Sequence, residues 1–223
     1  MTPEEVEWSQ EVSQADWIVQ RLHDFAVDVG SVIPDGLPAY VRIEHGDARA
    51  GGSLSPEETV ALVSLLAPVT APDRCWFCLW EGFGWIRGGR AMVRLERPSR
   101  LRRGLRRLRL VGLCWDPAGS PMGAVPPDVL AGPHVELPHR SYLLYRGPVA
   151  TATAWLGHPY RQSPNLWWAA DRTWVVASEI DLDWTCVGGP VALIRRILDH
   201  PLLDASPASP TDRLVATTNG RGR

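Results

Sequence analysis

The sequence predicts an α+β protein in which a mostly antiparallel sheet is covered by helices on one face. Two kinds of hydrophobic spacing carry this prediction: apolar residues three and four apart in some segments, and alternating or short continuous apolar runs in others. The segments follow the order helix, strand, helix, strand, a basic stretch, strand, strand and helix. This order lacks the regular strand–helix alternation that produces a parallel, doubly wound sheet.

The length of 223 residues is enough for one sizeable domain, which we expect to span residues 1–203. Within it, residues 87–130 are interpreted as an arginine-rich and Pro/Gly-rich insertion. Residues 204–223 are polar and contain Pro, Ser and Ala, and we expect them to form a mobile C-terminal tail.

The first helix and the first strand are predicted from hydrophobic spacing. Segment 13–29 places four apolar residues on one face at the helical period: Ile18, Leu22, Phe25 and Val29. We therefore expect an amphipathic helix there, with Ser13 at its start and Gly30 at its end. The segment AYVRI at 39–43 alternates in the manner of a half-buried strand.

The clearest local signal is LSPEETVALVSLLAP at 54–68. Ser55 is a preferred N-cap residue, Pro56 suits the first helical position, and Glu58 completes a capping box. The continuously apolar CWFCLW at 75–80 predicts a buried strand. In a strand, residues three apart point to opposite faces, so Cys75 and Cys78 are not expected to share a metal ion.

Segment 87–109 carries ten arginines against one carboxylate, Glu96. It could form a short basic helix, or a strand near 107–113. Arg100 to Arg109 are the only pointer to nucleic acid or another polyanion. The stretch lacks the interleaved aromatic residues of single-strand binders, so a solvated insertion is favoured and a nucleic-acid partner is not expected.

The C-terminal third contains two more predicted strands and a helix. RSYLLYRG at 140–147 and RTWVVASEID at 172–181 are typical of strands. PVALIRRILDH at 190–200 predicts a helix that begins with Pro190 and has one apolar face. That face is expected to contain Val191, Ile194 and Leu198.

The candidate site follows from counting faces along the strand 172–181. Trp174, Val176 and Ile180 point to the core face, whereas Glu179 and Asp181 share the other face, about 6.5 to 7 Å apart. Two carboxylates at this distance could hold a divalent cation or act as an acid/base pair, or they could simply face water.

Aromatic and cationic neighbours complete the candidate ligand-binding set. Trp167 and Trp168 precede the strand, and Arg172 begins it. Aromatic walls around carboxylates are typical of sites for sugars, purines or cations, although tryptophan is more often a core residue. The predicted ligand-binding residues are therefore Trp167, Trp168, Arg172, Glu179 and Asp181.

Function is predicted less directly than fold. The net charge is −2, and the motifs of nucleophilic hydrolases, zinc proteases and phosphate-binding loops are absent. The leading hypothesis is a non-catalytic cytosolic protein that binds a protein partner or a small molecule, by analogy with immunity or accessory proteins. The alternative is a hydrolase or transferase that uses Glu179 and Asp181 as acid/base groups or metal ligands. No cofactor is predicted.

Localisation is predicted from the N-terminus and the cysteines. The first twenty residues are acidic, unlike a signal peptide, and no apolar run reaches the ~18 to 20 residues of a membrane span. Four cysteines in such a chain indicate reduced thiols, so we expect a cytoplasmic protein without membrane association.

The block SPNLWWAADRTWVVASEID, followed by TCVGG, resembles one found in a family of uncharacterised actinobacterial proteins. In that family an SPNLWW start leads to a DR-W strand, an EID and a T-x-VGG. The segments DWI…VGSVIPDGLPAYVRI and CWFCLWEGFG resemble other blocks of the same proteins. The resemblance implies a bacterial cytosolic setting and marks 87–130 as a variable part, but it implies no activity.

Overall fold

The computed structural model describes residues 6–45, 52–71, 75–87, 125–157 and 162–214. Within these ranges one sheet contains nine strands, and every pairing in it is antiparallel. The strands are β1 (Glu7–Trp8), β2 (Ala39–Glu44), β3 (Cys75–Trp80), β4 (Val135–Leu137), β5 (Arg140–Gly147), β6 (Leu166–Ala169), β7 (Val175–Ser178), β8 (Trp184–Gly189) and β9 (Ala205–Ala208).

The strand order is β1-β5-β3-β6-β7-β8-β2-β9, and β4 pairs with β5 beside β1. Three consecutive strands, β6, β7 and β8, form the middle of the sheet as a meander. The first and last strands of the described chain lie at opposite edges. This arrangement confirms the α+β class and the antiparallel sheet.

Within the described ranges four α-helices accompany the sheet: α1 (Asp16–Val19), α2 (Pro56–Leu66), α3 (Pro127–Leu130) and α4 (Val191–Leu198). Short 3₁₀ helices occupy Val12–Ala15, Val29–Ser31, Ala67–Val69, Gly84–Arg87 and Val149–Thr153. The longest helix, α2, has the predicted capping box. The Ser55 hydroxyl accepts a hydrogen bond from the Glu58 backbone N–H, and the Glu58 carboxylate accepts one from the Ser55 backbone N–H.

Each face of the sheet has its own hydrophobic core. On one face Phe77 and Trp167 pack together with Leu62 of α2 and Ile194 of α4. On the other face Trp168 belongs to a second core that includes residues of α1. The sheet is therefore covered on both faces, in contrast to the single helix-covered face that we expected.

The predicted helix over 13–29 is wrong. The chain forms only a 3₁₀ turn and α1 and then folds back, with the backbone N–H of His23 donating to the carbonyl of Gly30. Ala26 has a φ of 61°, a left-handed conformation that ends any helix. Of the four residues assigned to one face, Phe25 is 46% exposed, whereas Ile18 is fully buried.

The predicted strands at 39–43, 75–80 and 140–147 are confirmed. The strand predicted over 172–181 is shorter, because only Val175–Ser178 pair with neighbours. Strands β6 and β8 on either side of it were not predicted. In α4 the buried face contains Leu193, Ile194 and Ile197, while Val191 is exposed and Pro190 precedes the helix as its N-cap.

The expected mobile tail from residue 204 is wrong over 204–214. Strand β9 pairs with β2 along four residues, and the chain then returns to form an isolated bridge between Asp28 and Arg213. The expected insertion at 87–130 is structured at its C-terminal end, where Val125 and Val129 are buried. Most of its arginines, including Arg100 to Arg109, lie outside the described residues.

Candidate functional site

The two predicted carboxylates meet at a residue that sequence reasoning missed, Arg140. Its Nε donates to Oε1 of Glu179 at 3.1 Å, and its Nη2 lies 2.6 Å from Oδ2 of Asp181. The side chains of Arg140 and Glu179 are each 18% exposed, whereas Asp181 is 75% exposed. The cluster is thus half-buried on the Glu179 side and open to solvent on the Asp181 side.

Arg140 is held by its own strand and by an aromatic ring. It is the first residue of β5, and its Nη1 donates to the carbonyl of His139 at 3.0 Å. The guanidinium lies 5.8 Å from the ring centroid of Trp80, within the range of a cation–π interaction. The preceding residue, His139, has a φ of 63°, so the chain turns sharply into the strand.

The two carboxylates are positioned by the turn that follows β7. The backbone N–H of Leu182 donates to the carbonyl of Glu179 at 3.0 Å and closes this turn. Gly52 packs on the same turn, because a Cβ at its position would lie 2.2 Å from the Glu179 carbonyl oxygen. Only glycine allows the chain to approach this closely.

The predicted aromatic wall is not at this site. Trp167 is fully buried in the core of one face, and Trp168 is buried in the core of the other. In the register, Trp168 is opposite Val175, at the far end of β7 from Glu179. Both tryptophans are core residues, and the tryptophan that adjoins the charged cluster is Trp80.

Arg172 is also separate from the carboxylates. It lies in the turn between β6 and β7 with a φ of 63°, whereas Glu179 follows the other end of β7. Its guanidinium is 5.3 Å from the ring centroid of Trp17. The structure therefore brings Glu179 and Asp181 together but leaves the other three predicted ligand-binding residues elsewhere.

An exposed aromatic residue of the N-terminal segment packs against His139, the residue that precedes Arg140. The Phe25 ring packs against the His139 imidazole with ring centroids 4.6 Å apart. Val27, two residues on, is 59% exposed. No sequence signal identified this pair, because the helical period had assigned Phe25 to the core.

Beside the cluster, two buried hydroxyl groups and a histidine form a hydrogen-bonded chain that joins β7, β8 and the residue after β2. The hydroxyl groups of Ser178 and Thr185 lie 2.6 Å apart, and Nε2 of His45 lies 2.8 Å from the Thr185 hydroxyl. Burial lowers the pKa of His45, and the nearby carboxylates of Glu58 and Asp183 oppose this effect. Because Ser178 is only 4% exposed, this chain stabilises the end of the sheet and does not present a nucleophile.

The thiols have the predicted arrangement. Cys75 lies in the core of one face and Cys78 in the core of the other, so the prediction of opposite orientations is confirmed. Burial raises the pKa of Cys75 to about 12 and also raises that of Cys78. Neither thiol is therefore a reactive thiolate near neutral pH.

Among the residues that the structure describes, the charged cluster lacks the ligand set of a metal site. In these ranges no group of three or more His, Cys, Asp or Glu side chains could hold a metal ion. Two cavities of about 270 and 190 Å³ are lined by residues other than Glu179 and Asp181. The exposure of Asp181, at 75%, shows that the charged cluster is open to solvent on that side.

None of the described helices combines the length and the apolar character that a membrane span requires. Comparison with known proteins returned no matching family model, no matching curated protein and no matching solved structure. The actinobacterial resemblance therefore stays a prediction.

Proposed function

We propose that this chain is a non-catalytic binding protein that recognises a protein partner through the Arg140 surface, which consists of Phe25, His139, Arg140, Glu179 and Asp181. The observation that carries the proposal is the guanidinium shared between two carboxylates, one of them 75% exposed, next to a histidine on which an exposed aromatic ring packs. Arginine and aromatic residues are enriched where proteins bind each other.

The state of the carboxylates supports binding over catalysis. Oε1 of Glu179 accepts hydrogen bonds from Arg140, and Arg140 also contacts Asp181. A metal ion between the carboxylates would have to displace this guanidinium, and a general acid would have to share its oxygen with it. The hydrolase or transferase alternative therefore receives less support from this geometry.

The shape of the surface favours a protein partner over a small molecule. A small-molecule site usually encloses most of its ligand in a concave pocket, whereas Asp181 in the Arg140 surface is 75% exposed. Phe25 and Val27 flank Ala26, whose φ is 61°. A left-handed alanine costs about 1 kcal/mol, and such strain is characteristic of functional loops.

The cytosolic setting is part of this proposal. Cys75, Cys78 and Cys186 are buried and unpaired. A reducing compartment keeps thiols in this state.

The proposal is tested by site-specific photo-crosslinking in cells that carry the gene. A photoreactive phenylalanine analogue replaces Phe25 in one variant and Val60 in the control, because Val60 is also exposed, at 55%, but belongs to α2 and not to the Arg140 surface. We expect a discrete protein adduct from position 25, lost when Asp181→Arg is added, and none from position 60. The absence of an adduct at position 25, or equal adducts at both positions, contradicts the proposal.

A further inference from the structure

A cleft of about 270 Å³ lies between the edge of the sheet and the chain that follows β9. Its lining includes Arg42, Ser206, Asp212 and Arg213, together with the apolar Val29. It is formed in part by the segment in which composition had predicted a mobile tail.

The floor of the cleft is formed by two paired strands. Arg42 of β2 is opposite Ser206 of β9, so both side chains lie on the same face of the sheet. The Arg42 guanidinium lies 5.7 Å from the ring centroid of Trp184 and 2.5 Å from the Glu44 carboxylate. These contacts hold the guanidinium in place, and 26% of its side chain remains exposed.

The wall of the cleft is held by backbone hydrogen bonds. The Val29 N–H donates to the Asp212 carbonyl at 2.8 Å, and the Gly30 N–H donates to the Pro210 carbonyl at 2.7 Å. Oδ2 of Asp212 accepts the Ser209 N–H at 2.7 Å. The wall is therefore preorganised, which reduces the entropy cost of binding a ligand.

The lining of the cleft contains two guanidiniums and one carboxylate, Asp212, and only one of the two guanidiniums forms an ion pair among the described residues. Glu44 neutralises Arg42, whereas Arg213 forms no ion pair with any residue within the described ranges. A guanidinium offers two parallel N–H donors that match the oxygens of a carboxylate. Arg213 thus supplies an unused cation at the mouth of a cleft whose floor holds a second guanidinium.

We propose that this cleft binds a small monoanionic carboxylate between Arg213 and Arg42, with the Ser206 hydroxyl as an additional donor. The volume restricts the ligand to a small molecule. A single negative charge matches Arg213, which forms no ion pair within the described ranges, while Arg42 is already paired with Glu44. The second charge of a phosphate dianion would face the Asp212 carboxylate without a further unpaired cation in the lining, so we expect phosphate to bind more weakly than a carboxylate.

The site is separate from the Arg140 surface. Arg42 and Ser206 lie on the last two strands of the sheet order, whereas Arg140 lies on β5, with β3, β6, β7 and β8 between them. The proposed carboxylate site and the proposed protein-binding surface are therefore tested by different experiments, and either can be refuted without the other.

The test is an NMR titration of the full chain, labelled with ¹⁵N, with sodium acetate and separately with sodium phosphate. Ionic strength is held constant with sodium chloride, so that general screening does not change. The variants are Arg213→Gln and Arg42→Gln. Arg196→Gln is the matched control, because Arg196 is exposed on α4.

We expect saturable shifts of Ser206, Asp212 and Arg213 amide signals, half-complete at about 10 mM acetate. Phosphate at pH 8 should bind at least threefold more weakly. Arg213→Gln and Arg42→Gln should each weaken acetate binding at least tenfold, and Arg196→Gln less than twofold. Shifts that do not saturate by 100 mM, or that persist unchanged in Arg213→Gln, overturn the proposal.

Discussion

Gly52 supports the turn that carries Glu179 and Asp181, and Gly52→Ala is predicted to destabilise the protein by about 3 kcal/mol. The φ of Gly52 is +72°, in the left-handed region. An added Cβ would lie 2.2 Å from the carbonyl oxygen of Glu179 and 2.3 Å from the Cα of Ile180. Both atoms belong to the backbone, so no rotation of a side chain relieves the overlap.

The magnitude follows from comparison with Gly36, which provides a matched control. Gly36 also has a positive φ, +91°, but the nearest atom to its added Cβ is a flexible Arg21 nitrogen at 3.9 Å. The left-handed conformation costs alanine about 1 to 2 kcal/mol, offset by about 0.4 to 1 kcal/mol from the stiffer unfolded chain. Both substitutions therefore share a cost near 1 kcal/mol, and the overlap at Gly52 adds about 2 kcal/mol.

Urea unfolding measures this difference. With a slope of about 2 kcal/mol per molar urea, the midpoint should fall by about 1.5 M for Gly52→Ala and by about 0.5 M for Gly36→Ala. The NMR signal of the Arg140 Nε–H should shift only in Gly52→Ala, because the turn moves its carboxylate partners. Equal midpoints for the two variants, or an unmoved Arg140 signal, would refute the role assigned to Gly52.

Three further predictions concern caps, ion pairs and histidines. Ser55→Ala removes the capping box and should cost about 1 kcal/mol in urea unfolding. Arg140→Gln should cost about 2 kcal/mol because it leaves a largely buried carboxylate unpaired, whereas Asp181→Asn, at an exposed position, should cost less than about 0.5 kcal/mol. Burial lowers the pKa of His45, so its contribution to stability is complete above pH 6.5 and is lost below it. A hydrogen bond to an aspartate raises the pKa of His23, so its contribution is complete below pH 6.5 and is lost as pH rises through the raised value. Urea unfolding at pH 5 and pH 8 should therefore show a smaller acid loss of stability in His45→Gln and a larger one in His23→Gln; a common direction would contradict these assignments.

The elements that the sequence predicts correctly are those whose signals are local. Helix α2 is specified by Ser55 and Glu58, which bond to each other within one turn. Strand β3 is a continuous apolar run because it lies in the middle of the sheet and is covered on both faces. In both cases the physical cause of the structure lies within the segment itself.

Of the charged cluster, the two carboxylates were predicted from the sequence and Arg140 was not, because the contacts between Arg140 and the carboxylates join distant parts of the chain. Glu179 and Asp181 are two residues apart, so the sequence alone places them near each other. The predicted strand that would have put them on one face ends at Ser178, however, and the turn after it positions both carboxylates. Their partner, Arg140, precedes them by about forty residues, and the folded sheet brings the start of β5 close to the turn after β7. Trp167 and Trp168 share the sequence neighbourhood of the carboxylates, but strand alternation buries one on each face.

The C-terminal segment shows why composition alone misleads at the edge of a sheet. The backbone N–H of Glu44 donates to the carbonyl of Asp204, so pairing alternates from there and places Pro207 where its nitrogen faces away from β2. Any other residue at this position would expose an unpaired backbone N–H donor at the sheet edge, whereas proline has no N–H to donate. Edge strands avoid further pairing through such residues, and the same Pro and Ser content is typical of disordered tails. A sheet-edge strand and a disordered tail therefore share a composition rich in Pro and Ser, which limits further backbone pairing in both. Here the pairing of β9 with β2 shows that the segment is an edge strand.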